Sequence, residues 1–381
     1  FIGSKHLNSA MDRHVAIGVA RMMAVVRMHK HFGAYRNMIK KQGSPYTVKG
    51  LKNLRLNKNL KNLPFVLFYL FTELLENEKF KFLLSYRKPE SVVKFVSVLV
   101  SQMTFANGSK VNWNVTNSWL NSRQIHPNNA EYFGDVLQRM ANEKIVKANV
   151  GGVGTQIKMM LMLEGGQKVL FKPMVEKREF IADSSPYAGK DRHNCEIASF
   201  HLNRLFNFRR CPLVIGRRIN LAEIYKVADE RLKKTFFKKG NKLCFYGVCH
   251  YCRRSNAICA DQSNVLEGAL ILWIPQKLKT YKHPWSRTYK KNVLARWEKE
   301  NDYCAEVKQL SLYRTGPRLL DLIDATIFDF ISGNADRHHY EVLNGYNDGV
   351  VLLLDNGKSF GNPFKDEIKF GSRPGKPLTN L

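Results

Sequence analysis

The chain has 381 residues, of which 44% are hydrophobic, enough for one large hydrophobic core or two smaller ones. Its 61 lysines and arginines outnumber 32 aspartates and glutamates, so the formal net charge is +29. Such a charge favours nucleic acid, an anionic membrane or an acidic glycan as a partner. The sequence contains no nucleic-acid-binding motif, and its aromatic residues are not interleaved as stacking platforms, so we expect no nucleic-acid partner. An acidic glycan and a merely solvated basic surface explain the charge equally well.

Residues 1–112 carry much of this charge and form a basic N-terminal extension of unclear structure. Within it, the apolar run Leu63–Phe71 follows lysines, as the hydrophobic part of a signal or anchor segment does. The run is far too short to cross a bilayer, which takes about 20 apolar residues. Buried helices across residues 55–106 are an equal alternative, so the sequence identifies no membrane anchor.

A glycine-rich hairpin is predicted next. Gly151–Thr155 opens the alternating segment 156–163, which turns at 164–167 and returns as a strand carrying Lys172. Glycine has no Cβ, so backbone N–H groups in such a loop can approach phosphates closely. Lys172 occupies the place of the kinase lysine that meets the α- and β-phosphates. Most hairpin glycines and strand-end lysines have no such role, so these residues alone are weak evidence.

The segment Asp191–Phe206 is predicted to be a helix, because its apolar residues recur at helical spacing. Glu196 lies in its first turn. A helix after the lysine strand with an inward glutamate matches the kinase arrangement in which that glutamate pairs with the lysine. The helix dipole alone also favours a glutamate in the first turn. The apolar positions are Ile197, Phe200, Leu202, Leu205 and Phe206.

Two aspartates follow in kinase order. Asp336 lies in the loop Gly333–Glu341, after a helix predicted at Arg318–Ser332, and Asp355 follows an apolar strand at 350–354. The apolar stripe predicted for that helix is Leu319, Leu320, Ile323, Ile327, Phe330 and Ile331. Phosphoryl transfer needs one carboxylate to orient and deprotonate the attacking hydroxyl, and another to hold a metal ion on the phosphates. A solvated polar loop is the ordinary interpretation of Asp-Arg-His alone. The hairpin, lysine, helix glutamate and two aspartates in this order predict an ATP-dependent kinase.

The sequence departs from ordinary protein kinases near Asp336. It has no His-Arg-Asp or Asp-Phe-Gly motif, and Glu341 stands where protein kinases carry a metal-binding asparagine. A metal shell rich in carboxylates suits Mn²⁺, with Mg²⁺ as the alternative, since both are hard ions that prefer oxygen. We therefore expect ATP and Mn²⁺ as cofactors.

The cysteines suggest an oxidising compartment. Four of them lie close together in sequence, which suits two local disulfides, with a small zinc site as the alternative. The sequons at Asn107 and Asn114 agree with that compartment but often occur by chance. Cys195 and Cys211 are predicted to be buried free thiols. The clustered cysteines are Cys244, Cys249, Cys252 and Cys259.

Several motifs together resemble the secretory-pathway atypical kinases called "family with sequence similarity 20". The resemblance runs from about Trp113 to Glu367, and the segments at 283–285, 294–298 and 358–363 are most similar to the xylose-phosphorylating branch of that family. It implies ATP-dependent phosphorylation of the 2-hydroxyl of xylose in the glycosaminoglycan–protein linkage region of proteoglycans. The motifs are Gly154-Thr-Gln, Leu170-Phe-Lys-Pro173, Pro186-Tyr-Ala-Gly, Asp191-Arg-His-Asn, Cys244-Phe-Tyr-Gly, Trp285-Ser-Arg-Thr-Tyr and the run Gly333–Glu341.

The resemblance also implies roles for individual residues. Asp336 is the catalytic aspartate, and Asp355 binds Mn²⁺. The family's inactive member has glutamine at the position of Glu196, which this chain retains. The resemblance assigns Lys172 and Glu196 to nucleotide and metal binding. Together with the glycine-rich hairpin, the predicted nucleotide-binding residues are Gly154, Thr155, Gln156, Lys158, Lys172 and Glu196. Together with Glu341, predicted from its position after Asp336, the predicted metal ligands are Asp355, Glu196 and Glu341.

The disulfide pairs implied by the resemblance are Cys244–Cys259 and Cys249–Cys252. In the family, the partner of Cys304 lies beyond the metal aspartate, whereas the segment Gly371–Leu381 resembles neither the family nor a folded terminus. We therefore expect a kinase C-lobe that lacks its closing helices.

The predicted fold is α+β, an atypical bilobal kinase-like fold with a β-rich N-lobe and a mainly helical, incomplete C-lobe. A helical lead-in at 113–145 precedes the N-lobe at 146–221, and the C-lobe at 222–381 carries a disulfide-rich insertion at 244–259. The resemblance implies a Golgi-lumen or secretory-pathway protein, a type II membrane anchor, and a homo- or heterodimer within the family. Two alternatives stay open: a secretory-pathway Ser/Thr protein kinase, and a catalytically incomplete fragment that acts as a binding or scaffold protein.

Overall fold

The computed structural model describes residues 111–362, apart from 153, 178–179, 184–189, 287, 289, 291–292, 301 and 347. Most of the N-terminal extension, with Leu63–Phe71 and Asn107, therefore lies outside the described residues. The strands are β1 (Ile145–Val150), β2 (Met159–Leu163), β3 (Lys168–Pro173), β4 (Val214–Asn220), β5 (Phe236–Lys239), β6 (Lys242–Phe245), β7 (Ile258–Cys259), β8 (Val265–Leu272), β9 (Leu278–Lys282), β10 (His339–Leu343) and β11 (Val351–Leu352). The helices are α1 (Val115–Ser118), α2 (Phe133–Asn142), α3 (His193–Leu205), α4 (Leu221–Val227), α5 (Glu230–Lys233), α6 (Arg296–Lys299), α7 (Tyr303–Gln309), α8 (Ser311–Arg314) and α9 (Arg318–Ser332), with a 3₁₀ turn at Arg254–Asn256.

A five-stranded antiparallel sheet, in the order β1-β2-β3-β8-β4, contains the predicted glycine-rich hairpin. The chain reverses between β2 and β3 at Gly165 and Gly166, whose φ angles are 82° and 90°. Residues with a Cβ rarely adopt such angles, which explains the two glycines at this turn. Along β2, Met159, Leu161 and Leu163 are buried at alternate positions, as expected for a strand with one face on the core.

The sequence of residues 212–221 predicts a pair of strands leading to the hinge between the lobes. This prediction is wrong, because the structure has one strand there, β4. Its partner is β8, which comes from beyond the disulfide-rich insertion and pairs with both β3 and β4. At the crossing, a Cβ on Gly268 would lie 2.5 Å from Lys172 O and from the Phe171 ring, so only glycine lets β8 approach β3 this closely. Local sequence patterns do not reveal such a non-local partner. The lobe boundary at residue 221 stays a prediction, although the sheet continues past it to Leu272.

Helix α9 has the predicted bounds and ends at Gly333, which has a φ of 69°. Its buried face differs from the predicted stripe of Leu319, Leu320, Ile323, Ile327, Phe330 and Ile331. The fully buried apolar residues are Leu322, Ala325, Phe328 and Ile331, and the other five predicted positions are half-buried. The buried face also includes Asp321 and Asp329, whose ionic partners turn this side of the helix inward.

The lead-in before β1 packs on the sheet through α2, whose Val136 and Met140 are fully buried. It is also tied to α9, because Arg123 forms two hydrogen bonds with the buried Asp321 carboxylate, at 2.9 and 2.5 Å. Arg210 approaches the same carboxylate at 3.5 Å. Among the described residues, no helix has the length and apolarity needed to cross a membrane.

The disulfide-rich insertion belongs to a small sheet in the order β5-β6-β7, which begins at Phe236, before the predicted start of the insertion at residue 244. It contains the bonds Cys244–Cys259 and Cys249–Cys252, which are the pairs implied by the resemblance. Among the described residues, the free cysteines are Cys195 and Cys211, both buried, and the half-buried Cys304.

Candidate active site

Three carboxylates surround the ammonium group of Lys172 on β3. Lys172 Nζ lies 2.6 Å from Glu196 Oε1, 2.5 Å from Asp355 Oδ1 and 3.1 Å from Asp191 Oδ2. The structure therefore brings together the lysine of β3, the first-turn glutamate of α3 and the aspartate after β11. We call Asp191, Glu196 and Asp355 the acidic cluster.

Asp191 is the member of the acidic cluster that sequence reasoning missed. It lies just before α3 and is 8% exposed. An acidic residue at this place is ordinarily explained by the helix dipole, so nothing local indicated that it faces Lys172. Ligand oxygens of the three carboxylates all lie within 4.8 Å of one another. This spacing and donor chemistry suit a hard divalent cation such as Mn²⁺ or Mg²⁺.

The charges of the site depend on one another. Burial disfavours the ammonium of Lys172, but the carboxylates of Asp355, Glu196 and Asp191 outweigh it and raise its pKa well above the ordinary value. Burial raises the pKa of Asp191 to about 6, against the attraction of Lys172. Lys172 lowers the pKa of Asp355, whose side chain is 75% exposed. Lys358 Nζ also lies 3.8 Å from Asp191 Oδ1, so more than one ammonium group faces the three carboxylates.

The backbone around Asp355 is held close to α3. Asp355 has a φ of 55°, a strained value for a residue with a Cβ. The next residue, Asn356, donates its backbone N–H to Glu196 Oε2 at 3.1 Å and its side-chain Nδ2 to Leu353 O at 2.9 Å. Glu196 thus contacts Lys172 with one oxygen and fixes the Asp355 segment with the other.

The segment after Asn356 packs against the start of α3. A Cβ on Gly357 would lie 2.6 Å from Cβ and Cγ of Asp191, so glycine is required for this approach. Arg192 donates its backbone N–H to Gly357 O at 2.9 Å. Its Nη2 donates to Lys358 O at 2.7 Å and to Ser359 O at 2.9 Å. These contacts fix Asp191 and the segment after Asp355 relative to each other.

Arg337 ties the Asp336 loop to α9 and to the Asp355 segment. Its side chain is 6% exposed and forms a two-bond pair with Asp329 of α9, at 2.5 and 2.8 Å. The same guanidinium donates to Leu354 O at 2.7 Å and to Asn356 Oδ1 at 2.8 Å. Bidentate charged hydrogen bonds are strong and directional, so Arg337 positions both loops at once.

Asp336 lies in this loop, outside the acidic cluster. Its backbone N–H donates to Asn334 Oδ1 at 3.1 Å, and its backbone oxygen accepts from the N–H of His338 at 3.0 Å. The carboxylate is 29% exposed, so a substrate hydroxyl can reach it.

Glu341 is not part of the acidic cluster. It lies on β10, with Oε1 3.0 Å from His339 Nε2, and this hydrogen bond raises the pKa of His339. Residues two apart on a strand share a face, which explains why Glu341 lies beside His339. Its predicted role as a metal ligand stays a prediction.

The glycine-rich loop between β1 and β2 lies beside the acidic cluster. Gln156 Oε1 accepts from the backbone N–H of Asp191 at 3.4 Å. Burial lowers the pKa of Lys158, and the neighbouring charge of Lys172 lowers it further. A Cβ on Gly154 would lie 2.6 Å from Lys158 Nζ, so the lysine side chain runs directly under this glycine.

Two other predicted site residues are on the surface. Thr155 is exposed in the glycine-rich loop. Asn114 is exposed immediately before α1, and its glycosylation stays a prediction.

Residues 111–372 match the family model described as "Fam20C: Golgi casein kinase, C-terminal, Fam20". The chain belongs to the Fam20 family. Among Fam20 relatives, the human protein named glycosaminoglycan xylosylkinase is 49% identical over 259 residues, which are 67% of this chain and 63% of the human protein. The chain therefore spans less than two thirds of the length of this relative.

Two solved Fam20 structures confirm the predicted α+β kinase-like fold. The structure of hydra Fam20 with sugar matches with a TM-score of 0.66 at 45% identity, covering 72% of this chain and 78% of that chain. The Golgi casein kinase with Mn/ADP bound matches with a TM-score of 0.65 at 31% identity, covering 72% of this chain and 66% of that chain.

Proposed function

We propose that this protein is an ATP-dependent kinase that phosphorylates the 2-hydroxyl of xylose in the glycosaminoglycan–protein linkage region of proteoglycans. The observation that carries the proposal is the contact of Lys172 with all three carboxylates of the acidic cluster. Similarity to the human xylosylkinase and to the hydra protein solved with sugar supports a sugar acceptor. The basic net charge of the chain would suit an acidic proteoglycan.

The acidic cluster fits a divalent cation, because its three carboxylates supply hard oxygen ligands within 4.8 Å of one another. Asp355, Glu196 and Asp191 would hold Mn²⁺, the ion bound with ADP in the Golgi casein kinase neighbour, and Mg²⁺ satisfies the same chemistry. When bound, the ion would neutralise charge on the transferred phosphoryl group.

The remaining residues would position ATP and the acceptor. Lys172 and Lys158 carry positive charge toward the phosphates, and the backbone of Gly154–Gln156 can approach them closely. Asp336 orients the xylose hydroxyl and accepts its proton. Arg337 holds the Asp336 loop in a fixed position relative to Asp355 through its contacts with Leu354 and Asn356.

We also propose a Golgi-lumen location in the secretory pathway. The two disulfides of the insertion support it, because such bonds persist in oxidising compartments. A family homo- or heterodimer and a membrane anchor stay predictions.

The proposal is tested by transfer of the γ-phosphate of ATP to a galactosyl-xylose acceptor with Mn²⁺, with the Asp355→Ala variant alongside. We expect transfer by the unchanged chain and its loss in the variant. The exposed Glu223→Ala variant, altered on the surface helix α4, is the matched control and should transfer normally.

An acidic, serine-rich peptide as second acceptor distinguishes the protein-kinase alternative, which the Golgi casein kinase neighbour favours. Transfer to the peptide and not to the sugar would contradict the proposed acceptor. Nucleotide binding without transfer to either acceptor would favour the binding or scaffold alternative.

A further inference from the structure

The Cys249–Cys252 disulfide closes a short loop at residues 247–252, which we call the bridge loop. Two contacts join it to the glycine-rich loop. The backbone N–H of His250 donates to Gly154 O at 2.8 Å. The Cys249 sulfur lies 3.4 Å from Thr155 O. The bridge loop therefore contacts the segment whose backbone would approach the phosphates.

The bridge loop also lies against the start of β2. Gly247 has a φ of 65°, and a Cβ there would lie 3.6 Å from both Ile157 Cγ2 and Lys158 O. The loop leaves β6 directly after Phe245, which is fully buried in the main core. It thus extends from a rigid element and runs along residues 154–158.

The glycine-rich loop needs such support because its own sequence provides little rigidity. Gly152 has a φ of 77° with open space where a Cβ would lie, and Gly154 has a φ of 149°. Glycine loses more conformational freedom on ordering than any other residue. Binding is stronger when that cost is met before the ligand arrives.

We propose that the bridge loop is a positioning element for nucleotide binding, and that the Cys249–Cys252 bond keeps the backbone of Gly154 and Thr155 in the form that receives phosphates. This inference rests on one part of the proposed function, the binding of a nucleotide, and does not depend on which acceptor is phosphorylated. A bridge that merely stabilised the insertion would not change nucleotide affinity.

The test is the Cys249→Ser/Cys252→Ser double variant, which keeps the Cys244–Cys259 bond. We expect the dissociation constant for ADP with Mn²⁺, measured by calorimetry, to rise about 3- to 10-fold, as for loss of one or two weak contacts. Amide hydrogen exchange should accelerate at residues 154–156 but not at the Gly165–Gly166 turn. The matched control is Lys239→Ala, at the exposed end of β5 and outside the bridge loop, and both readouts should stay unchanged.

The His250→Pro variant keeps the disulfide and removes the N–H that bonds Gly154 O, so it should also weaken nucleotide binding and accelerate exchange at 154–156. The inference is overturned if both variants unfold at thermal midpoints near that of the unchanged chain and retain its full affinity for ADP and its slow amide exchange at residues 154–156. It is also overturned if the unchanged chain does not bind ADP with Mn²⁺. Normal nucleotide binding without transfer to galactosyl-xylose would contradict the proposed acceptor alone and leave this test valid.

Discussion

A carboxylate buried as deeply as that of Asp191 is costly unless neighbouring cations compensate for it. Lys172 lies 3.1 Å from one of its oxygens and Lys358 lies 3.8 Å from the other. An asparagine of the same shape would avoid the burial of charge. The retained charge, beside two further carboxylates, therefore indicates a role in holding a cation.

We predict that Asp191→Asn raises the Mn²⁺ concentration needed for half-maximal ADP binding by about 10- to 100-fold, the range typical for loss of metal affinity when groups around a metal ion are changed. The amide keeps the shape of the side chain but removes one negative charge from the acidic cluster. Mn²⁺ titration at fixed ADP measures the effect. Glu223→Gln, which removes an exposed carboxylate, should bind as before, and an unchanged Mn²⁺ requirement in Asp191→Asn would rule out the role.

Gly357→Ala should reduce phosphate transfer about 100-fold, the cost of roughly 1 Å misplacement in an active site. The new Cβ would overlap Asp191 at 2.6 Å, so either Asp191 or the Asp355 segment must shift. Steady-state transfer assays measure the loss. The control is Gly216→Ala, whose Cβ would meet only the flexible end of Ile197 at 3.3 Å, and which should remain active. Equal activity of the two variants would refute the close-packing argument.

At the scale of elements, α9 supports the site through Asp329. Burial raises the pKa of this carboxyl group, and the attraction of Arg337 opposes the rise. Removal of one partner from a buried pair leaves the other charge uncompensated. Because Arg337 also holds Leu354 and Asn356, the pair links the helix to the Asp336 loop and to the Asp355 segment.

Asp329→Ala should lower the free energy of unfolding by about 3–5 kcal/mol, the range for breaking a buried ion pair. Urea unfolding followed by tryptophan fluorescence measures it. Glu300→Ala removes one of the two exposed carboxylate partners of Arg296, the other being Glu306, and should leave stability nearly unchanged. If Asp329→Ala lowered the free energy of unfolding as little as Glu300→Ala does, the Asp329–Arg337 pair would not stabilise the fold as predicted.

Helix α9 and strand β8 show which features local sequence patterns predict and which they do not. The 3.6-residue pattern and the terminal glycine gave the correct bounds of α9, because both signals are local. The same pattern misjudged the buried face, since Asp321 and Asp329 point inward to Arg123 and Arg337. Strand β8 was missed because its pairing with β3 and β4 depends on contacts across a long insertion.

At the scale of the whole molecule, buried histidines that stay uncharged make stability depend on pH, and within the described residues these include His126, His201 and His283. Burial lowers the pKa of His126 to about 4 and those of His201 and His283 to about 3. In the unfolded chain these histidines have the ordinary pKa of about 6.5 and therefore bind protons below that pH. As pH falls below 6.5, only the unfolded state takes up these protons, so stability present above pH 6.5 is lost progressively toward pH 3–4.

The free energy of unfolding should therefore fall by up to about 1.4 kcal/mol per pH unit for each of these histidines. His283→Asn tests this, because its amide oxygen can replace Nδ1 as acceptor for the N–H of Trp285. Urea unfolding at pH 7.5 and pH 5 should show a smaller pH dependence in the variant. His250→Asn, at an exposed position, should retain the full dependence. The same pH dependence in His283→Asn as in the unchanged chain would contradict the prediction.

The sequence by itself determined the order of the kinase parts, because the glycine-rich hairpin, Lys172, Glu196 and the two aspartates are each marked by local patterns. Tertiary structure decided which carboxylates meet Lys172. It added Asp191 to the acidic cluster, although an aspartate just before a helix is ordinarily explained by the helix dipole alone. It left Glu341 beside His339, because the pleat of β10 fixes the side of the strand on which Glu341 lies. It also placed the bridge loop against Gly154, a contact between segments almost 100 residues apart. Contacts of this kind depend on how distant elements pack, and no pattern within either segment encodes them.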